Sequence, residues 1–385
     1  MKKIVFVYDH LGTGGIASYL LNILSYISKY DFSVTLLVKS ISADVQKSIP
    51  ENVAIKYVQD VPAIKKLLLY IFRGGIPAIV SILRRDKKQV FSGKALQKLQ
   101  LINAAYSGEH GEAYDIAIGL DLYWPNYYTA LRINAEKKYL WAHPQYNSLK
   151  TDGKIDEQVY GKCDKLIAVS EKNAHILKQF LPGIKEKIDY IENITDNDRI
   201  IEKSKEEIME SFDENQLNIV TVCRLDNSSK RLDRVIACAK ILKERNIDFI
   251  WRILGDGPDK GYVTELVKEN NLWDRVILTG NKNNPYPYMA KSDVFVLLSQ
   301  YEGVPIVVTE AMISGLPVIV SNYESAAVQV SPENGYIVEN DDETISVCTA
   351  DILEKLEKMQ PKPRIEYRKD NKESYKKLDD LLEVD

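Results

Sequence analysis

Cysteine and histidine are scarce in this 385-residue chain, with four of each. Cys163, Cys223, Cys238 and Cys348 are scattered, with no CxxC pair and no histidine cluster beside them. That usage argues against a zinc or thiol centre and fits a reducing compartment. Basic residues are not in excess: 51 Lys and Arg stand against 55 Asp and Glu, a net charge of −4. A dedicated nucleic-acid binder carries the opposite balance, so no nucleic-acid partner is expected. No uninterrupted apolar run approaches the ~18 residues that cross a bilayer. Met1-Lys2-Lys3 starts like a secretion signal, but the apolar run Ile4-Val5-Phe6-Val7 soon stops at Asp9, as a first buried strand would. These absences predict a cytoplasmic protein, at most peripheral on the inner face of the plasma membrane. Internal repeats and low-complexity tracts are also missing.

What is present is an ordinary globular composition, 45% hydrophobic and 28% charged, on a chain long enough for two domains. The first half alternates short apolar runs with amphipathic stretches. Strands are predicted near residues 4–8, 33–38, 115–118 and 166–169, with a turn at Gly12-Thr13-Gly14-Gly15 and a helix over 16–28. The second half repeats the rhythm, with strands predicted at 219–223, 249–254, 276–279, 294–298 and 318–321. Its helices are predicted at 231–245, 262–270 and 305–314. Short continuous apolar runs between helices mark parallel strands buried on both faces. The fold class expected is α/β, two Rossmann-like parallel-sheet domains facing a central cleft. The polar stretch 190–212 places the boundary between domains 1–194 and 195–366, and a last amphipathic helix, about 367–385, is expected to pack back onto the first.

Two segments carry the chemistry. Arg224-Leu225-Asp226-Asn227-Ser228-Ser229-Lys230 and Glu302-Gly303-Val304-Pro305-Ile306-Val307-Val308-Thr309-Glu310 each follow an apolar run, so each opens from a strand end. A guanidinium and an ammonium suit phosphate oxygens, and carboxylates suit hydroxyl groups. Pro305 is placed as a first helical residue, and the free N–H groups of a helix that begins there would face an anion. A nucleotide sugar, with a diphosphate between two hydroxylated ends, has the matching layout. Its diphosphate gains charge as the glycosidic bond breaks, and Arg224 and Lys230 can meet it.

These pieces, taken in order, resemble retaining glycosyltransferases of the GT-B fold, the family 4 (group 1) type of bacterial surface-polysaccharide enzymes. The resemblance rests on Val222-Cys223-Arg224-Leu225, Lys230, Ile253-Leu254-Gly255-Asp256-Gly257-Pro258, Val276-Ile277-Leu278-Thr279-Gly280 and Asn284-Pro285-Tyr286-Pro287-Tyr288-Met289. It continues through Ser292-Asp293-Val294-Phe295-Val296, Glu302, Glu310-Ala311-Met312 and Gly315-Leu316-Pro317-Val318. It implies transfer of a hexosyl unit, with retention, from a UDP-linked sugar to a glycan or lipid-linked acceptor. The donor is a co-substrate, and no cofactor or metal is implied. Glu302 would hold the donor sugar, Glu310 the ribose, and Arg224 with Lys230 the diphosphate. Backbone at Gly303, Val304, Pro305, Ile306 and Val307 would touch phosphate or sugar, and the base would lie near Gly280, Asn281 and Tyr286. In the first half, Gly14-Gly15 would face the diphosphate and His143 the donor sugar. Arg231 departs from the family, which usually has glycine there.

Other accounts remain. A glycosyltransferase-like subunit without activity would bind acceptor or stabilise another enzyme. A glycosidase would not need the phosphate cations, and a sugar-nucleotide epimerase would form no glycosidic bond. Asp196-Asn197-Asp198 looks like a metal-binding DxD motif, yet it lies in the linker. Residues 61–102 carry nine lysines and arginines against Asp86 alone, interleaved with apolar residues. Such a segment suits either an anionic membrane surface or a solvated helix face.

Overall fold

The computed structural model describes residues 1–12, 14–62, 65, 68–69, 93–144 and 146–384. Within the basic segment, Lys66, Arg73, Arg84, Arg85, Lys87 and Lys88 lie outside the described residues, so the membrane expectation rests on sequence alone.

The chain divides into two compact units, Met1–Ile194 with Lys372–Asp385, and Thr195–Asn371. In the first, β1 (Lys2–Val7), β2 (His10–Leu11), β3 (Phe32–Val38), β4 (Ser40–Ile41) and β5 (Val53–Tyr57) precede β6 (Ala113–Gly119), β7 (Asn134–Ala142), β8 (Lys165–Ala168) and β9 (Ile188–Tyr190). Seven of them form a parallel sheet ordered β5-β3-β1-β6-β7-β8-β9. Chain direction across the sheet reverses between β1 and β6, the position where open α/β sheets bind ligands beyond their carboxyl ends. The turn carrying Gly14 follows β1 and opens the helix Gly15–Ile27. The final helix, Lys372–Leu382, belongs to this unit: Lys2 Nζ donates to Leu382 O at 2.7 Å, and Tyr26 donates to Asp379 Oδ2 at 2.8 Å.

The second unit holds β10 (Leu217–Val222), β11 (Phe249–Leu254), β12 (Val276–Gly280), β13 (Val294–Leu297), β14 (Val318–Ser321) and β15 (Gly335–Val338). They form a parallel sheet ordered β12-β11-β10-β13-β14-β15, whose direction reverses between β10 and β13. Successive residues point to opposite faces, so Ile219, Trp251, Ile253 and Val296 build one core, while Val220, Leu254, Phe295 and Leu297 build the other. That double burial is why these strands are uninterrupted apolar runs.

Several details differ from the sequence expectations. β5 and β9, at the sheet edges, and β7, whose first half is polar, were not expected, nor was β15. The 190–212 stretch is not simply a linker: it contains the helix Asn197–Lys203, capped by Asp196, whose Oδ1 accepts from Arg199 N at 3.0 Å. The helix expected over 231–245 runs from Leu232 to Glu244, and a short helix that was not expected, Asn227–Lys230, precedes it across Arg231 with φ 49° and ψ 53°. Pro305 stands one step outside its helix as the N-cap, and Ile306–Ile313 is helical.

Gly255 marks the tightest crossing near β10. Its φ is +140°, and an added Cβ would lie 1.9 Å from Cys223 O. Gly255→Ala is therefore expected to destabilise the second unit by about 3 kcal/mol or more, as forbidden backbone and overpacking combine. Urea unfolding followed by tryptophan fluorescence checks this.

Candidate active site

In the second unit the reversal between β10 and β13 gathers the predicted residues. The chain leaves β10 through Arg224 and Leu225, and Asp226 caps the short helix that ends in Lys230. It leaves β13 through Ser299, Gln300 and Glu302 before the helix Ile306–Ile313. Lys230 Nζ meets Glu302 Oε1 at 2.6 Å, joining residues 72 positions apart. Gln300 N donates to Ser229 O at 2.8 Å and ties the two loops by backbone as well.

Lys230 is partly buried. Burial pulls its pKa down, but the Glu302 carboxylate, through charge and hydrogen bond, holds it above the ordinary lysine value. The ammonium is thus charged throughout the physiological range. Arg224 is exposed, and its guanidinium has no hydrogen bond or ion pair among the described residues. An available fork on the segment that also carries a fixed ammonium suits a polyanion.

No side chain caps the helix Ile306–Ile313, so its first N–H groups have no side-chain acceptor. Ser325 donates to Gly303 O, and Gln329 Nε2 donates to Pro305 O at 2.8 Å and to Thr309 Oγ1 at 2.9 Å. These bonds fix the entry of the helix. Glu310, on its second turn, is only 6% exposed and accepts from Tyr286 OH at 2.9 Å. Tyr286 opens the helix Tyr286–Lys291, so two residues expected at opposite ends of a nucleoside are in direct contact. Gly280 (φ 72°) ends β12 with open space where a Cβ would stand, and Asn281 beside it is exposed.

In the first unit, Gly14 is the N-cap of Gly15–Ile27, and added Cβ atoms at Gly14 and Gly15 would meet nothing within 4 Å among the described residues. His143 follows β7 and packs edge-on against Tyr19 of that same helix, ring centroids 4.8 Å apart. The glycine turn and the histidine are therefore neighbours through one helix. Burial holds the imidazole pKa down to about 3, so it is neutral at physiological pH. Its Nε2 is buried with no hydrogen-bond partner among the described residues.

Sequence reasoning missed other groups. Arg231 was noted only as a departure, yet its left-handed φ is the conformation glycine adopts without cost. Gln300, Arg234 and Asp342, which bind one another near Glu302, belong to no recognised motif. Arg234 did leave a signal, a charged residue beside the apolar stripe of its helix. In the first unit Asp121 follows β6. Burial pushes its carboxyl up to about 7, and its Oδ1 accepts from Leu122 N at 2.8 Å. The DxD-like pair is occupied otherwise: Asp196 caps a helix and Asp198 pairs with Arg368.

The family model for group 1 glycosyl transferases matches residues 202–374. That match spans nearly all of the second unit, Thr195–Asn371. Among curated relatives, it is 31% identical over 189 residues to an N-acetylgalactosamine-N,N'-diacetylbacillosaminyl-diphospho-undecaprenol 4-alpha-N-acetylgalactosaminyltransferase of Campylobacter jejuni, covering 48% of this chain and 49% of that one. It is 34% identical over 160 residues to the O-antigen biosynthesis glycosyltransferase WclY of Escherichia coli, covering 41% and 43%. The chain thus spans about half the length, or less, of these two relatives. The whole fold is similar to Anabaena Alr3699/HepE in complex with UDP and glucose, with a TM-score of 0.69, 16% identity and full coverage of both chains. It is also similar to a mutant of S. aureus TarM in complex with Fondaparinux, alpha-GlcNAc-glycerol and UDP, with a TM-score of 0.64, 16% identity and coverage of 99% and 100%. The two parallel sheets are those of the GT-B class.

His143 gives a pH-dependent test. As pH falls from about 6.5 towards 3, the unfolded chain takes up a proton on this imidazole and the folded chain does not, so stability falls. His143→Asn removes that component. Urea midpoints at pH 7.5, 5.5 and 4.5 are expected to decline less steeply in the variant than in the unsubstituted protein.

Proposed function

We propose that this glycosyltransferase moves a hexosyl unit from a UDP-linked sugar to a glycan or lipid-linked acceptor, with retention, in bacterial surface-polysaccharide synthesis. The observation that carries the reading is the Lys230–Glu302 pair at the sheet reversal, which joins the loop that carries Arg224 to the loop that opens an uncapped helix.

In this reading Lys230 and Arg224 take the diphosphate oxygens, and the first turn of Ile306–Ile313 adds N–H groups. The bond from the anomeric carbon to the diphosphate oxygen breaks, and the acceptor hydroxyl oxygen bonds to that carbon on the same face. The acceptor proton passes to the departing diphosphate. Charge grows on the leaving group as the bond stretches, so the two cations stabilise the transition state more than the ground state. Glu302 exchanges part of its contact with Lys230 for donor-sugar hydroxyls, and Glu310 holds the ribose. Gly280, Asn281 and Tyr286 border the base. Gly14 and Gly15 approach the diphosphate, and the neutral His143 faces the donor sugar through its unpaired Nε2. Lys230, Arg224 and the helix start replace a metal as the counter-charge.

UDP as the nucleotude draws support from the UDP held by the HepE and TarM structures, and a lipid-linked acceptor from the diphospho-undecaprenol in the Campylobacter relative's name. The first unit would take the acceptor and the second the donor. A basic 61–102 segment would suit an anionic surface on the cytoplasmic side of the membrane.

Calorimetry with UDP, followed by donor hydrolysis and transfer assays, tests the proposal. Lys230→Ala and Glu310→Ala are each expected to lower kcat/KM by about 10²–10³, as loss of a charged transition-state contact does. Turnover is expected to persist in EDTA. Absence of any UDP binding heat would favour the non-catalytic subunit instead.

A further inference from the structure

Arg234 is 3% exposed, yet it touches no residue to which a donor role is assigned above. Its guanidinium joins two loops. Nε and Nη2 donate to Asp342 Oδ1 at 2.8 and 2.6 Å, in the loop after β15. Nη1 donates to Asn340 Oδ1 at 2.7 Å and to Leu298 O, at the end of β13, at 3.1 Å. Nη2 also reaches Gln300 Oε1 at 2.8 Å. Arg231 donates to the same Gln300 oxygen at 3.0 Å and pairs with Asp342 at 2.7 Å. Gln300 is bound at its backbone too, its N–H to Ser229 O and its C=O by Asn340 Nδ2 at 3.1 Å.

Gln300 therefore has little freedom, and Glu302 is two residues further along. A buried guanidinium is expensive unless its donors are satisfied, and here five contacts satisfy it. Two of them, to Leu298 O and Gln300 Oε1, go to the chain that delivers Glu302 to Lys230, and Asn340, which takes a third, also holds the Gln300 carbonyl. A plain core position would be filled at lower cost by an apolar side chain. Lysine, a point charge on a flexible stem, cannot span Leu298 O, Gln300 and Asp342 together.

We propose that Arg234 is a positioning residue, which fixes Gln300 and through it sets the Glu302 carboxylate against Lys230 for recognition of the donor sugar. The donor part of this inference rests on the function proposed above; the positioning of Glu302 does not. UDP lacks the hexose that Glu302 meets. Loosening Gln300 thus penalises the nucleotide sugar more than the nucleotide.

The test uses the full chain with Arg234→Lys and, as a second variant in case the first fails to fold, Gln300→Ala. Two readouts are taken. By calorimetry, UDP affinity is expected to stay within about threefold, while UDP-hexose affinity and kcat fall about tenfold or more, a split that selective loss of a sugar contact produces. By NMR of 13C-dimethylated lysines, the Lys230 signal, assigned with Lys230→Arg, is expected to titrate at lower pH than in the unsubstituted protein. Burial remains there while the carboxylate withdraws. Equal loss of UDP and UDP-hexose affinity, or no change in either, would overturn the positioning role in donor recognition. If the unsubstituted protein binds no UDP, the functional reading fails. The Lys230 titration then decides the positioning of Glu302 alone, an unchanged titration overturning it.

Discussion

The parallel pairing of β10 with β13 is the constraint on which the second unit's site depends. Only Ile219 with Val294 and Val220 with Phe295 are in register, yet buried bonds reinforce the pair. Thr221 Oγ1 donates to Val296 O at 2.7 Å and accepts from Trp251 Nε1 at 3.0 Å, so one hydroxyl links β10, β11 and β13. A buried hydroxyl left without partners would cost about 1–3 kcal/mol, so this register is strongly preferred over a slip. Everything at the carboxyl ends inherits it: the capped Lys230 turn from one strand, and Glu302 with its helix from the other.

The site is held in tension by its charges. Lys230 and Glu302 satisfy one another at 2.6 Å, and a ligand must offer enough to re-share both. Arg231 takes a left-handed conformation that costs a non-glycine residue roughly 1–2 kcal/mol. Its bonds to Asp233, Gln300 and Asp342 offset that cost, and the same bonds stiffen the loop behind Glu302. A departure from the family pattern thus becomes part of the support for the site.

The first unit uses burial where the second uses charge. The His143 imidazole is kept neutral by desolvation and packed against Tyr19, so its protonation state is set by surroundings and not by an ion pair. The final helix completes this unit after the chain has formed the other. Tyr375 stacks on Tyr26 with centroids 3.9 Å apart, next to the Tyr26–Asp379 hydrogen bond. No helix of the described residues is long and apolar enough to cross a membrane.

The sequence by itself determined the α/β class, most buried strands of both sheets, and the order of Arg224, Lys230, Glu302 and Glu310 along them. Parallel strands buried on both faces must be apolar runs, and such runs are visible without coordinates. Edge strands such as β5 and β9 and the short helix before Arg231 were not legible, because half-exposed strands tolerate charges and a left-handed arginine leaves no compositional trace. Only the tertiary structure decided that Glu302 touches Lys230, that Tyr286 touches Glu310, and that His143 is buried beside Tyr19. It alone revealed Arg234 between the loops that follow β13 and β15. Those facts depend on which strands are neighbours, and strand order is a property of the packed sheet that no local pattern encodes.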